Sequence, residues 1–181
     1  MTNDGTPGEL RLIRPVPEYL PSYYRVCQET WGRTHEPYII HDPALFPMWK
    51  KTIFETYRQH ERGEALPEGF VPSATFWAIE GKELVGVVNI RLRLNEFLRT
   101  RGGHIGFFVR QSYRGRGYAK RLIPLSIDAA RQLGIQGDIL IICMASNTPS
   151  YRALLASHYR RRDRIEAKFN GQLCQLCRFF F

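Results

Sequence analysis

The segment His104-Ile-Gly-Phe-Phe-Val109, Arg110-Gln-Ser-Tyr113, Arg114-Gly-Arg-Gly-Tyr-Ala119 concentrates the residue types that hold an anion. It reads as a strand, a short basic link, a glycine-rich turn and a helix start. The first turn of a helix offers unpaired backbone N–H groups and the positive end of the helix dipole. Gly115 and Gly117 let that backbone approach a phosphate with no Cβ in the way. Arg110, Arg114, Arg116, Lys120 and Arg121 add positive charge at the same spot. The pattern suits a pyrophosphate.

Two phosphate chemistries are excluded. A Walker loop needs Gly-Lys-Ser/Thr at the helix start, and here Gly117 is followed by Tyr118-Ala119. A dinucleotide fingerprint needs a third glycine where Lys120 stands, and an acidic residue ending the next strand. That strand ends Cys143-Met144-Ala145. Nicotinamide and flavin are therefore set aside.

The elements around this segment follow from periodicity. Leu10 to Arg14 reads as a first strand. Tyr19, Leu20, Tyr23, Tyr24, Cys27 and Trp31 recur at helical spacing, and a second helix is expected from Pro43 to Arg62. Thr75–Glu80 and Glu83–Asn95 form a hairpin around Gly81-Lys82. His104–Val109 is the next strand. Tyr118–Leu133 is a helix stopped by Gly134, with a kink expected at Pro124. Ile139–Met144 is an apolar run, as in a strand covered on both faces. Strand, helix, strand in that order predicts a parallel pair with a right-handed crossover. A short helix from Thr148 to Ser157 has Asn147 as its N-cap. Arg164–Phe169 and Leu173–Phe181 flank the turn Asn170-Gly171. The expectation is one α+β domain over residues 1–181, with a mixed, mostly antiparallel sheet and one central parallel pair.

Composition bounds the function. The chain has 181 residues, 44% hydrophobic and 24% charged, which supports a single packed core. No apolar run approaches the roughly 18–20 residues of a membrane helix. The polar start, Met1 to Glu9, has no signal segment, so a soluble, cytoplasmic protein is expected. Four cysteines are too few for a disulfide scaffold. Cys174 and Cys177 form a CxxC with no second ligand pair at zinc spacing, so no metal is expected. A net charge of +9 suits anionic partners as well as a plain solvated surface.

The glycine turn resembles the acetyl-coenzyme A motif of the GNAT acetyltransferases, (R/Q)xxGx(G/A). Val85-Gly-Val-Val-Asn-Ile-Arg91, Gly102-Gly-His-Ile-Gly-Phe107 and Cys143-x-x-x-Asn147-x-x-Ser150 extend the likeness to a bacterial subgroup of predicted acetyltransferases. It covers residues 70–181 well, and residues 1–69 more loosely. The resemblance implies that His104–Val109 and Ile139–Met144 are parallel strands that splay apart, with a pantetheine arm between them. It implies that Phe107, Phe108 and Val109 pair with that arm and that the Val109 N–H meets the thioester oxygen. Arg114, Gly115, Arg116, Gly117, Tyr118 and Ala119 would hold the pyrophosphate, and Asn147 would touch the arm from the other side.

The implied reaction is attack of a neutral amine on the thioester, and something must take the amine's proton. Relatives often carry Glu where this chain has His104. The residue reads either as that base or as a strand-start histidine bonded to a loop. Many relatives carry a proton-donating Tyr where this chain has Leu154. Tyr151 could substitute, Ser150 or water could act, or no donor is needed. Asn89 and Arg91 share a strand face with Arg93 and Asn95. That face either lines the acceptor cleft or is solvated. Trp31, Tyr38, Phe76 and Trp77 read as core or cleft walls.

The sequence thus points to acetyl transfer from acetyl-coenzyme A to a small amine or amino-acid-like acceptor. An aminoacyl-tRNA or protein acceptor is the alternative, with Arg160-Arg161-Arg162 and Arg164 meeting RNA phosphates. A non-catalytic acyl-coenzyme A binding module is the third reading, supported only by Leu154. A homodimer is compatible with all three.

Overall fold

A computed structural model describes residues 8–32, 40–169 and 171–181. Strand β1 (Leu10–Ile13) leads through a short 3-10 turn to helix α1 (Leu20–Thr30). Pro21 sits in the first turn of α1, where its missing N–H costs nothing. The single long helix expected over 43–62 is broken. A 3-10 turn (Pro43–Leu45), a one-turn helix α2 (Phe46–Trp49) and helix α3 (Ile53–Arg62) replace it. Gly63, at φ 81°, ends α3 in the left-handed region that favours glycine. Tyr38 and Asn170 lie outside the described residues.

The hairpin β2 (Ser73–Glu80) and β3 (Glu83–Arg91) stops four residues earlier than expected. Leu92 N donates to Pro72 O at 2.8 Å, and the chain then turns into a π-helical turn over Leu98–Gly102. Strand β4 (Ile105–Val109), helix α4 (Tyr118–Gln132), strand β5 (Leu140–Met144) and helix α5 (Thr148–Leu155) follow. The hairpin β6 (Arg161–Phe169) and β7 (Gln172–Phe180) completes the chain. Helix α4 continues through Pro124 as one element.

The sheet differs from the expected one. Two separate antiparallel sheets form, in the orders β1-β2-β3-β4 and β5-β7-β6. The expected parallel pair, β4 and β5, makes no ladder; each strand is the edge of its own sheet. Helices cover both faces. On one side Leu122 and Ile123 of α4 pack with Val88, Ile90, Ile105, Ile141 and Phe179. On the other, Tyr23 of α1 and Ile53 of α3 pack with Trp77, Val87 and Phe108. Trp77 is fully buried, as expected of a core residue, whereas Trp31 keeps 44% of its surface. No helix among the described residues is long and apolar enough to cross a membrane.

Candidate active site

The ladder arithmetic of β4 fixes where its backbone points. Arg91 N donates to His104 O at 2.8 Å, and Arg110 N donates to Val85 O at 2.9 Å. Hydrogen-bonded pairs alternate along an antiparallel ladder, so the His104 carbonyl, Gly106, Phe108 and the Arg110 N–H face β3. Ile105, Phe107 and Val109 therefore turn their N–H and C=O groups to the opposite edge. The same logic applies to β5. Ile139 and Phe181 exchange both backbone bonds, and Ala145 N donates to Gln175 O at 2.9 Å. Leu140, Ile142 and Met144 thus face away from β7.

These two edges face a seam that closes at its foot. His104 N donates to Leu140 O at 2.7 Å, and Leu140 N donates to His104 Nδ1 at 3.0 Å. Gly103 bridges to Ile141 beside them at φ 67°. A Cβ on Gly103 would stand 2.5 Å from Leu140 O, so only glycine fits there. Beyond this clasp no ladder joins β4 to β5 among the described residues. Arg114 Nε donates to Val109 O at 3.0 Å, and Asn147 N donates to Met144 O at 3.0 Å.

The glycine turn sits at the upper end of β4. Gly115 and Gly117 have φ 76° and 79°, and a Cβ on either would meet nothing within 4 Å. The turn thus presents bare backbone to open space. Arg121 N donates to Gly117 O at 3.2 Å, so the amides of Tyr118, Ala119 and Lys120 stand ahead of the helical ladder. The Tyr118 side chain is buried and donates its hydroxyl to Glu80, which also receives Arg121. Arg114, Arg116 and Lys120 remain exposed around the turn.

Arg110 does not join them. Its side chain is 8% exposed and is held by Glu29, with the closest contact at 2.5 Å, and by Glu83 at 2.9 Å. Glu83 also accepts from Ser22 Oγ at 2.8 Å and from Arg25 at 2.8 Å. The Arg110 hydrogen bonds hold the Glu29 carboxyl below its usual range. Buried position and two acidic partners make Arg110 a brace between α1 and the end of β4. Periodicity carries no signal for this, because Glu29 is 81 residues away.

Several expected site residues are engaged by partners within the fold. Phe108 keeps its backbone in the β3 ladder and its side chain in the α1–α3 core, so only Phe107 and Val109 offer backbone to the seam. His104 is half-buried, and burial together with Arg99, Arg91 and Arg131 pulls its ring down to about 4. The Leu140 N–H can only donate, so Nδ1 is the acceptor and the neutral ring carries its proton on Nε2. Neither nitrogen then keeps a lone pair for an amine proton. Arg91 is buried, and Nη1 donates to the carbonyls of Gly102 and Gly103 at 3.2 and 3.3 Å. It braces the β3–β4 connection. Asn89 Nδ2 donates to Ser73 Oγ at 3.2 Å and lies 3.4 Å from Thr75 Oγ1.

Tyr151 points away from the seam. Its ring packs edge-on to Phe179 of β7 at 6.0 Å. Its hydroxyl accepts from Arg162 at 2.9 Å and Arg164 at 3.4 Å, both on β6. Strands lie about 4.8 Å apart, so β6 is roughly 10 Å from β5. The Ser150 side chain lies near enough to β5 to act on the Cys143 thiol. Burial pushes that thiol up to about 12. Asn147 caps α5 by accepting from Ser150 N at 3.4 Å. Among the described residues no cluster of three or more His, Cys, Asp or Glu side chains could hold a metal ion.

Outward-turned strand amides of β4 and β5 and a glycine turn of bare backbone thus lie at one end of the two sheets. The acetyltransferase (GNAT) family model matches residues 21–158, and the chain belongs to that family of acetyl-coenzyme A dependent acyltransferases. Solved structures share the fold at low identity. The ribosomal L7/L12 alpha-N-protein acetyltransferase RimL, in complex with coenzyme A, is 17% identical with a TM-score of 0.64. That match covers 95% of this chain and 93% of the other. A chimera of the spermidine N-acetyltransferase SpeG from Vibrio cholerae and hSSAT is 16% identical with a TM-score of 0.59, covering 96% and 95%. The microcin C7 self-immunity acetyltransferase MccE, in complex with acetyl-CoA and AMP, is 15% identical with a TM-score of 0.61, covering 96% and 92%. No curated protein matches the sequence.

Proposed function

We propose that this acetyltransferase moves an acetyl group from acetyl-coenzyme A to the amine of a small molecule or amino-acid-like acceptor by direct attack on the thioester. The observation that carries the reading is the alternation in β4 and β5. Phe107 and Val109 on one side, and Ile142 and Met144 on the other, turn backbone groups into one seam. We read this seam as the splay that receives the pantetheine arm. The bare backbone at Gly115 and Gly117 supports the assignment of Arg114 to Ala119 to the pyrophosphate. Bound there, acetyl-coenzyme A supplies the activated acyl group.

The residues of this chain divide the remaining work. The Val109 N–H, directed away from β3, is the donor for the oxygen on which negative charge develops. His104 holds the foot of the seam, and the amine's proton leaves through water. Ser150, the hydroxyl beside β5, is the donor for the departing sulfur, and Tyr151 is a packed aromatic. Asn147 fixes the α5 start and borders the arm.

The test is direct. The recombinant chain should bind acetyl-coenzyme A by calorimetry and release free thiol with members of a panel of small amines. Absence of binding heat at high ligand removes the proposal. Binding without thiol release across small amines, with release on aminoacyl-tRNA or peptide termini, moves the acceptor to a macromolecule.

A further inference from the structure

A second cavity, of about 420 Å³, opens at the foot of the two sheets, at the opposite end of β4 from the glycine turn. Arg93, Arg99, His104, Gln136 and Asp138 contribute its polar lining. Arg93 and Arg99 are exposed, and their side chains make no hydrogen bond or ion pair among the described residues. Arg131, close enough to depress the His104 ring, donates to backbone oxygens of Ile135, Gly137 and Phe181. The one acidic residue in the cavity, Asp138, lies within ion-pair distance of Arg160 and Arg161.

His104 completes the pattern. Leu140 N–H fixes Nδ1 as an acceptor, so Nε2–H is the hydrogen-bond donor that remains. Two exposed guanidiniums and a neutral N–H donor line one cavity, and these are donor types that bind an oxyanion. We propose that this cavity is an anion site, separate from the pyrophosphate turn, which takes a small carboxylate or phosphate through Arg93, Arg99 and His104 Nε2–H. His104, one half of the clasp, is part of its lining, so an anion there bears on a residue that joins the sheets.

The experiment follows the His104 ring nitrogens by NMR in the full chain labelled at histidine, at neutral pH, with inorganic phosphate in one arm and acetate in the other. The expected result is a saturable shift of the His104 Nε2 signal. Arg93→Gln and Arg99→Gln should each weaken the response about tenfold, as loss of a charge-assisted hydrogen bond does. Both positions are exposed, and an unchanged thermal midpoint establishes that the variants fold. Arg116→Gln, at the distant turn, should leave the His104 response intact. A shift with phosphate alone assigns the site to phosphoryl groups, and a shift with both extends it to carboxylates. A His104 signal that moves with neither anion into the tens of millimolar, or that responds in both arginine variants as strongly as in the unaltered chain, overturns the proposal.

Discussion

His104 and Leu140 exchange two hydrogen bonds of different kinds. The backbone N–H of His104 meets the Leu140 carbonyl at 2.7 Å, and the Leu140 N–H meets His104 Nδ1 at 3.0 Å. An imidazole thus takes the part that a strand carbonyl plays in an ordinary ladder. The two sheets are joined by a side chain at the point where their backbones stop pairing.

This clasp gives stability a pH dependence. The His104 ring falls from 6.5 to about 4, with burial as the main cause and the nearby arginines next. A histidine whose folded value lies below its unfolded one stabilises fully above the unfolded value, and that stability drains away as pH falls to the folded one. The thermal midpoint should therefore decline between pH 6.5 and about 4. His104→Asn keeps an acceptor for the Leu140 N–H and should make that limb shallower, the remainder coming from His41, which burial likewise pulls down to about 4. His104→Leu should lower the midpoint at every pH. Calorimetric scans across the range check both.

Val109→Pro removes one N–H and little else. That amide points away from β3, so the ladder to β3 is intact, and proline is tolerated on an edge in this orientation. Turnover should fall about a hundredfold, the scale of a lost oxyanion donor. Coenzyme A affinity should change little. Steady-state rates paired with calorimetric binding separate the two effects.

Gly117→Val tests the turn. Open space around the position means no clash within the protein, and the left-handed backbone costs a β-branched side chain about 2 kcal/mol. The added side chain occupies the side from which a diphosphate approaches. Coenzyme A binding should weaken about tenfold or more, while the thermal midpoint falls by only a few degrees. An unchanged affinity would move the pyrophosphate elsewhere.

The proton donor is addressed by a pair of variants. Ser150→Ala should lower turnover, by about ten- to a hundredfold if the hydroxyl carries general acid catalysis. Tyr151→Phe should leave turnover near its original value, because its hydroxyl contacts only Arg162 and Arg164. The reverse ranking would reassign the role.

Arg110→Met should reduce stability by about 2 kcal/mol, since Glu29 and Glu83 lose their shared partner next to the core. The loss should be larger than for any of the exposed pairs, such as Arg58 with Glu55, which contribute little. Chemical denaturation measures the difference.

Much of this was legible in the residues themselves. The glycines at 115 and 117, the strand before them and the helix after them are local features, and their φ values of 76° and 79° follow from the short-range needs of a turn. Asn147 as N-cap and the β2–β3 hairpin are local in the same sense. The reading of Trp31 and Trp77 as core or cleft walls does not separate them, and of the two only Trp77 is fully buried.

Side-chain destinations were not. Arg91 and Arg110 look alike in sequence to Arg114 and Arg116, yet the first two are buried against carbonyls and carboxylates while the last two face solvent. Tyr151 and Ser150 are neighbours on one helix, and only the packing of α5 on the second sheet sends one to β6 and the other to β5. Local sequence sets which backbone conformations are cheap, and so it determined the turn, the caps and the strands. Which polar group meets which partner depends on atoms brought together from far along the chain, and that was decided by the tertiary structure alone.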